Sequence, residues 1–294
     1  MSKNKQNNNE LEKRENGISN YNWIDANEYT MNSFLLLDRW VFRWIFTDCS
    51  RYNWFPSGGR DYKTELAKAL HRYPHVREFV REKAPECRAF LDELEEIPDP
   101  GWSEQELRDA ETYILQAHET FVVYAYPEVM NRVNYIRNWN EKYLHELVDV
   151  TGKIVLDVGS GTGRLAFAAA KKAKHVYASE PCDRLREYMR DKIKAEGISN
   201  VKVLDGEVCN LPYEDDTFDI VCSGHVVGDF YEEEIAEMTR VTKHQGWLVV
   251  CNGEDEFKRT APDDELTGRG FEWFRHVSAE GGIIYNYRKQ VVKA

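Results

Sequence analysis

The chain has 294 residues, 42% of them hydrophobic, and a formal net charge of −12. That length allows one large domain or a domain with a substantial appendage, and the apolar content suffices for a core without disulfide staples. The acidic balance argues against a general phosphate-tracking surface of the kind nucleic-acid binders carry, and no apolar run is long enough to cross a bilayer as a helix.

Residues 1–20 contain no hydrophobic signal region and read as a polar, disordered tail. Helical periodicity dominates 21–149. There "NEYTMNSFLLLDRWVFRWIF" is aromatic and aliphatic on more than one face, which predicts a largely buried helix. "CSRYNWFPSGGRDY" breaks it at Pro56, Gly58 and Gly59, and "IPDPGW" reads as a linker. Ser103 stands three residues before Glu106, the spacing of a capping box, and starts a predicted helix over 103–121. Another helix is predicted over 127–149. This half holds Trp23, Trp40, Trp44, Trp54, Trp102 and Trp139, six of the eight tryptophans. Most read as helix packing; a few suit the lining of a ligand pocket, because aromatic rings offer rigid faces and stabilise cations.

From residue 153 onward strand-like and helix-like segments alternate. "KIVLDV", "HVYASE", "VKVLDG", "FDIVCSG" and "WLVVCNG" read as strands. "GRLAFAAAKKA", "DRLREYMRDKIKAEG" and "YEEEIAEMTRVTKHQG" read as helices, the last two ended by Gly197 and Gly246. Such alternation predicts a parallel sheet covered by helices on both faces. "FEWFRHVS" and "GIIYNYRKQVV" read as a hairpin closing one edge of the sheet.

The stretch "VLDVGSGTG" carries the chemistry. It runs from an apolar strand into Asp157, Gly159, Ser160, Gly161, Thr162 and Gly163. The spacing is G-x-G-x-G. A dinucleotide fingerprint has its third glycine one residue later, where this chain has Arg164, and no G-K-[ST] follows to make a P-loop. Asp157 at the strand end is badly placed against a pyrophosphate and suits a ligand with a cationic amino group.

This stretch resembles motif I of the Rossmann-like S-adenosylmethionine-dependent methyltransferases, and the resemblance covers residues 153–294, about half of the chain. It implies an α/β fold: a seven-stranded, mostly parallel sheet with an antiparallel C-terminal edge hairpin, here with a helical N-terminal cap region over 21–149 and the methyltransferase domain over 150–294. It implies S-adenosylmethionine as cofactor and S-adenosylhomocysteine as product. In such enzymes an acid ending the second strand binds the ribose hydroxyls, which places Glu180, followed by Pro181, in that role. The segment after the third strand contacts adenine, which points to Glu207 and Val208, with Asp205 as a competitor. The segment after the fourth strand lies near the transferred methyl, which points to Ser223, His225 and Asp229. Two departures stand out: Glu207 replaces the usual aspartate, and "KHQGW" lacks the usual Pro-Gly-Gly.

Methyl transfer needs alignment above all, and a base only where the acceptor must lose a proton. His225 is the candidate base, since its ordinary pKa lies close to neutrality; the plainer account is a hydrogen bond to the backbone or a part in shaping the cofactor pocket. For Asp229 the plainer account is favoured. Arg132 and Arg137 could approach the methionine carboxylate, but read better as a solvated helix face. "GEDEFKRTAPDDELTG", after the fifth strand, is a candidate substrate-side loop. The six cysteines form no C-x-x-C pair and no zinc spacing, and read as reduced thiols of a cytoplasmic protein that holds no metal. The expected partner is a small-molecule methyl acceptor with an oxygen, nitrogen or sulfur nucleophile, with neither nucleic acid nor membrane. A protein methyltransferase, a non-catalytic adenosylmethionine-binding regulator and a nicotinamide-dependent oxidoreductase stand as alternatives. Oligomeric state and acceptor identity have no signature in the sequence.

Overall fold

The computed structural model of the chain describes residues 26–48, 60–118, 120–254, 260–278 and 281–293. The predicted tail, Trp23, Trp54, the break at Pro56, Gly58 and Gly59, and residues 255–259 of the loop after the fifth strand lie outside them. The chain divides into two compact units, Met1–Tyr126 and Pro127–Ala294. The division falls ahead of the 149/150 boundary expected from the sequence. Among the described residues no helix is long and apolar enough to cross a membrane.

The first unit is helical. It contains α1 (Arg39–Arg43), α2 (Tyr62–His71), α3 (Pro74–Lys83), α4 (Arg88–Glu95), α5 (Glu104–Ala117) and α6 (Phe121–Ala125). The capping box forms as expected: the Glu106 amide donates to Ser103 Oγ, and the Ser103 amide donates to Glu106 Oε2 at 2.8 Å. The predicted long helix over the aromatic stretch is instead broken into the 3₁₀ turn Met31–Leu36, then α1, then the π turn Trp44–Asp48. The cause is local. Leu37 and Asp38 are extended, and the Asp38 carboxylate accepts the Arg39 amide as a fresh N-cap. Trp40, Trp44 and Trp102 are half-buried, whereas the phenylalanines are core: Phe34, Phe42, Phe46 and Phe121 are almost wholly buried, and the rings of Phe42 and Phe46 stack at 6.2 Å. Each such burial stabilises by about 1.5–3 kcal/mol.

The second unit opens with α7 (Pro127–Met130), α8 (Asn134–Arg137) and α9 (Lys142–Leu147). These replace the single helix predicted over 127–149. Val133 is extended, and Asn140 Oδ1 takes the Lys142 amide, so short polar side chains compete for the backbone and restart the helix. The sheet follows: β1 (Ile154–Val158), β2 (His175–Ser179), β3 (Val201–Leu204), β4 (Phe218–Ser223), β5 (Thr242–Val250), β6 (Glu272–Val277) and β7 (Ile283–Gln290), in the order β3-β2-β1-β4-β5-β7-β6. β1 to β5 are parallel; β7 pairs antiparallel with both β5 and β6. This is the predicted sheet with its edge hairpin.

Helices α10 (Arg164–Ala170), α11 (Asp183–Glu196), α12 (Tyr231–Val241) and α13 (Asp264–Gly268) complete the unit. One sheet face buries Val155, Val176, Ile220 and Val249 against α9 and α10. The other buries Leu156, Val221 and Leu248 against Ile235, Met238 and Val241 of α12. Two-sided burial is why these strands read as continuous β-branched runs. Gly197 ends α11 in the left-handed region, as predicted. α12 stops at Val241, five residues short of Gly246. Thr242 turns extended, and Gly246 sits inside β5, where a Cβ would lie 2.7 Å from Thr242 Cγ2 and 2.8 Å from the Asp219 carbonyl oxygen.

Candidate functional site

The parallel strands β1, β2, β3, β4 and β5 all end on one side of the sheet, and the predicted residues follow those ends. β1 runs into a turn in which Gly159, Gly161 and Gly163 have φ of +62°, +57° and +88°. Side chains rarely adopt those angles, so the alternate glycines are what let the chain reverse before α10. The Ser160 amide donates to the Ser179 carbonyl oxygen at 3.0 Å, fastening the turn to the end of β2. Ser160 and Thr162 are buried beside it.

Asp157 is 1% exposed. Its Oδ2 accepts the Ala166 amide of α10 at 3.0 Å, so the carboxylate turns inward and holds the helix start. Burial pushes its pKa up to about 7 against the pull of the Ser160 hydroxyl, the Arg164 guanidinium and the Ala166 amide.

Glu180 follows β2 and is 4% exposed. Its Oε2 accepts the Gly161 amide at 2.8 Å and its Oε1 accepts the Cys182 amide at 2.9 Å. Burial raises its pKa, while those two amides, the Cys182 thiol and the Arg186 charge oppose the rise. The Cys182 thiol bonds to the same carboxylate, so of its roughly four lone-pair sites about one remains after the two amides and the thiol are served. Pro181 beside it is partly buried.

After β3, Glu207 and Val208 are partly buried, and Glu207 bridges to Asn210. The competing Asp205 is exposed and paired with Arg186 at 3.3 Å. Cys209 next to Val208 is exposed, whereas Cys87, Cys182, Cys222 and Cys251 are buried. After β4, Ser223 is wholly buried, and among the described residues its Oγ has no hydrogen-bond partner. His225 is exposed with φ +61°. Its Nε2 accepts the Gly253 amide at 2.9 Å, and its own amide donates to Asn252 Oδ1 at 2.9 Å. Asp229 is partly buried; its charge, added to burial, helps push Glu234 up to about 7. Arg132 and Arg137 are exposed, and Arg137 bonds to Asn134 and Asn138.

Residue-by-residue reading passed over Arg164, Tyr135 and Gly253. Arg164 donates to the carbonyl oxygens of Tyr135 at 2.8 Å and Cys251 at 3.3 Å and stands over the Trp139 ring at 5.3 Å. Burial lowers its pKa, while Tyr135, Cys251 and Asp157 pull it back up. Gly253 has no room for a Cβ, which would collide with the Tyr135 backbone. The one available signal was the Asn-Gly pair directly after β5. Along α10 lies a groove of about 950 Å³ lined by Phe167, Lys171, Lys192 and Asn200. Thr162, Arg164 and Trp139 also line it, so it borders the glycine turn on the α10 side.

A family model described as a methyltransferase domain matches residues 156–250. A demethylmenaquinone methyltransferase of Halalkalibacterium halodurans is 32% identical over 184 residues, which cover 60% of this chain and 73% of that protein. This chain belongs to the class I S-adenosylmethionine-dependent methyltransferases. A second relative of this chain, the demethylmenaquinone methyltransferase of Geobacillus kaustophilus, is 32% identical over 145 residues, 46% of this chain and 62% of that one. A solved S-adenosylmethionine-dependent methyltransferase from Aquifex aeolicus is 21% identical with a TM-score of 0.45, covering 56% of this chain and 98% of that one. The chain spans 62% of the length of the Geobacillus relative and 55% of that of a further demethylmenaquinone methyltransferase, from Clavibacter sepedonicus.

Proposed function

We propose that this chain transfers the methyl group of S-adenosylmethionine to a small-molecule acceptor. The observation that carries the reading is Glu180, a buried acid seated between the Gly161 and Cys182 amides with acceptor capacity to spare. The ribose hydroxyls of an adenosyl ligand are two donors on adjacent carbons; a carboxylate already fixed by two amides takes one on its open lone pair and the other in place of the Cys182 thiol. Glu207 and Val208 take the adenine edge. The turn 159–163 faces the methionine portion, and Asp157 acts through the turn by holding the first residues of α10. Ser223, with its buried hydroxyl, lines the methionine side.

When bound, the cofactor supplies a methyl group on a positively charged sulfur, open to in-line displacement. The chain's own part is to bind, orient and exclude water, for which alignment is worth about 7–11 kcal/mol in the best cases. The acceptor is a small molecule with an oxygen, nitrogen or sulfur nucleophile or, as the names of the relatives suggest, a demethylmenaquinone, which would take the methyl on a ring carbon instead. Among the described residues no disulfide joins Cys87, Cys182, Cys209, Cys222 or Cys251, which suits a reducing, cytoplasmic compartment.

Two measurements test the proposal in sequence. Calorimetric titration with S-adenosylhomocysteine should show one saturable site on the folded chain; a folded chain that shows none overturns it. Incubation with methyl-labelled cofactor and an acceptor panel that includes a demethylmenaquinone should then label one acceptor. Binding without transfer to any small molecule supports an adenosyl-binding regulator instead.

A further inference from the structure

The loops that leave β4 and β5 are fastened together at two separate points. Near the strand ends, the His225 amide donates to Asn252 Oδ1 and the Gly253 amide donates to His225 Nε2, each at 2.9 Å. Farther out, the Tyr231 hydroxyl donates to Asp263 Oδ2 at 2.7 Å, and the Asp263 amide donates to the Tyr287 hydroxyl of β7 at 2.8 Å. The inner point is braced from a third direction. The His225 ring lies on the Tyr135 ring with centroids 4.5 Å apart, and Arg164 grips the carbonyl oxygens of Tyr135 and Cys251.

His225 holds a left-handed backbone, at φ +61°, that a side-chain-bearing residue rarely adopts. Such strain persists only where the surroundings over-determine it. The next residue shows what the strain achieves. Val226 packs so closely on Gly159 that a Cβ there would collide with its methyl groups. The loop after β4 is therefore pressed against the first glycine of the turn after β1.

An Nε2 that accepts an amide carries no proton of its own, so the ring proton sits on Nδ1. That lone pair is already committed and is not free to take a proton from an acceptor. We propose that His225 is a positioning residue: it locks the post-β4 and post-β5 loops together and so holds Val226 against Gly159, fixing the turn that receives the adenosyl ligand. The proposal rests on the cofactor reading above and replaces the base role considered for this histidine.

The test uses S-adenosylhomocysteine as probe, with wild type, His225→Ala and His225→Gln. Glutamine places a carbonyl oxygen about where Nε2 stands, accepts the same amide and does not titrate, so it cannot act as a base. The alanine variant should bind the probe about three- to tenfold more weakly, the size of one lost hydrogen bond, and the glutamine variant should return to within about twofold of wild type. Hydrogen exchange at the Gly253 amide should be slow in wild type and in the glutamine variant and faster in the alanine variant. Equal affinity in wild type and the alanine variant overturns the proposal, as does a glutamine variant as weak as alanine; a pure base would give the first result. If wild type binds no probe, the cofactor reading fails instead. The Gly253 exchange rates then decide the fate of the tie alone, and unchanged rates in the alanine variant would overturn it.

Discussion

The Gly161 amide donates to Glu180 Oε2 at 2.8 Å, joining the glycine turn after β1 to the acid after β2 across 19 residues of sequence. The shape of the turn and the placement of the acid are thus a single variable.

Glu180→Ala should therefore do two things. It removes the proposed ribose acceptor, and it leaves the Gly161 and Cys182 amides without their carboxylate, at about 1–3 kcal/mol for each one kept from water. S-adenosylhomocysteine affinity should fall at least about tenfold, and the thermal midpoint should fall as well. Glu180→Gln, which keeps one acceptor oxygen, should lie between. Calorimetry and thermal melts check both parts; an unchanged dissociation constant would remove Glu180 from the ribose.

Two left-handed glycines should respond differently to the same substitution. Gly197 ends α11 with nothing near its missing Cβ, so Gly197→Ala should cost about 1 kcal/mol from backbone strain alone. A Cβ on Gly163 would collide with the Phe167 ring and lie 3.1 Å from Met189 Sδ. Gly163→Ala should cost more, about 2–4 kcal/mol, with no cofactor present. Urea midpoints in the reverse order would contradict the packing described.

Stability should vary with pH between neutral and mildly acid. Burial, with the nearby Asp229 charge, pushes Glu234 up to about 7, and burial pushes Asp157 to about 7. Between roughly pH 4 and 7 the folded chain then holds protons that the unfolded chain has released, so stability falls as pH rises through that window. Below it Glu237, held low by Arg240, is protonated and its contribution is lost. The melting temperature should peak at the acid end of that window, at about pH 4. Glu234→Gln should flatten the descent toward pH 8; an identical slope in that variant would rule Glu234 out as its source.

Arg164 and Gly224 form a fourth test. A Cβ on Gly224 would strike the Arg164 guanidinium and lie 2.8 Å from the Cys251 carbonyl oxygen. Gly224→Ala and Arg164→Ala should each destabilise by about 1–3 kcal/mol. The double variant should lose less than their sum, because the truncated arginine frees part of the space the new methyl needs. Strict additivity in denaturant unfolding would show that the two do not compete.

Much of the second unit was legible because its signals are local. Val155 and Leu156 lead into Asp157 and alternate glycines, and a strand, a turn and a helix start are all written within ten residues. Glu180 was legible by its place at a strand end. What escaped depends on distance. Nothing near His225 announces that its ring will accept the amide of Gly253, 28 residues away, or that Arg164 will reach Tyr135 and Cys251. Breaks inside apolar stretches escaped for another reason. Asp38 caps α1 with a single oxygen, and Asn140 Oδ1 takes the amide of Lys142 at the start of α9; those local bonds outweigh a periodicity that spans the break.

The exposure of Cys209 gives the molecule a built-in reporter. Among the described cysteines it is the one thiol open to solvent, and it follows directly on Val208, where the adenine edge is expected. A chromogenic disulfide reagent reads out such a group without any label being engineered in. Slower modification of this sulfur as S-adenosylhomocysteine is added would trace nucleoside occupancy at the far end of the site, before any methyl acceptor is known.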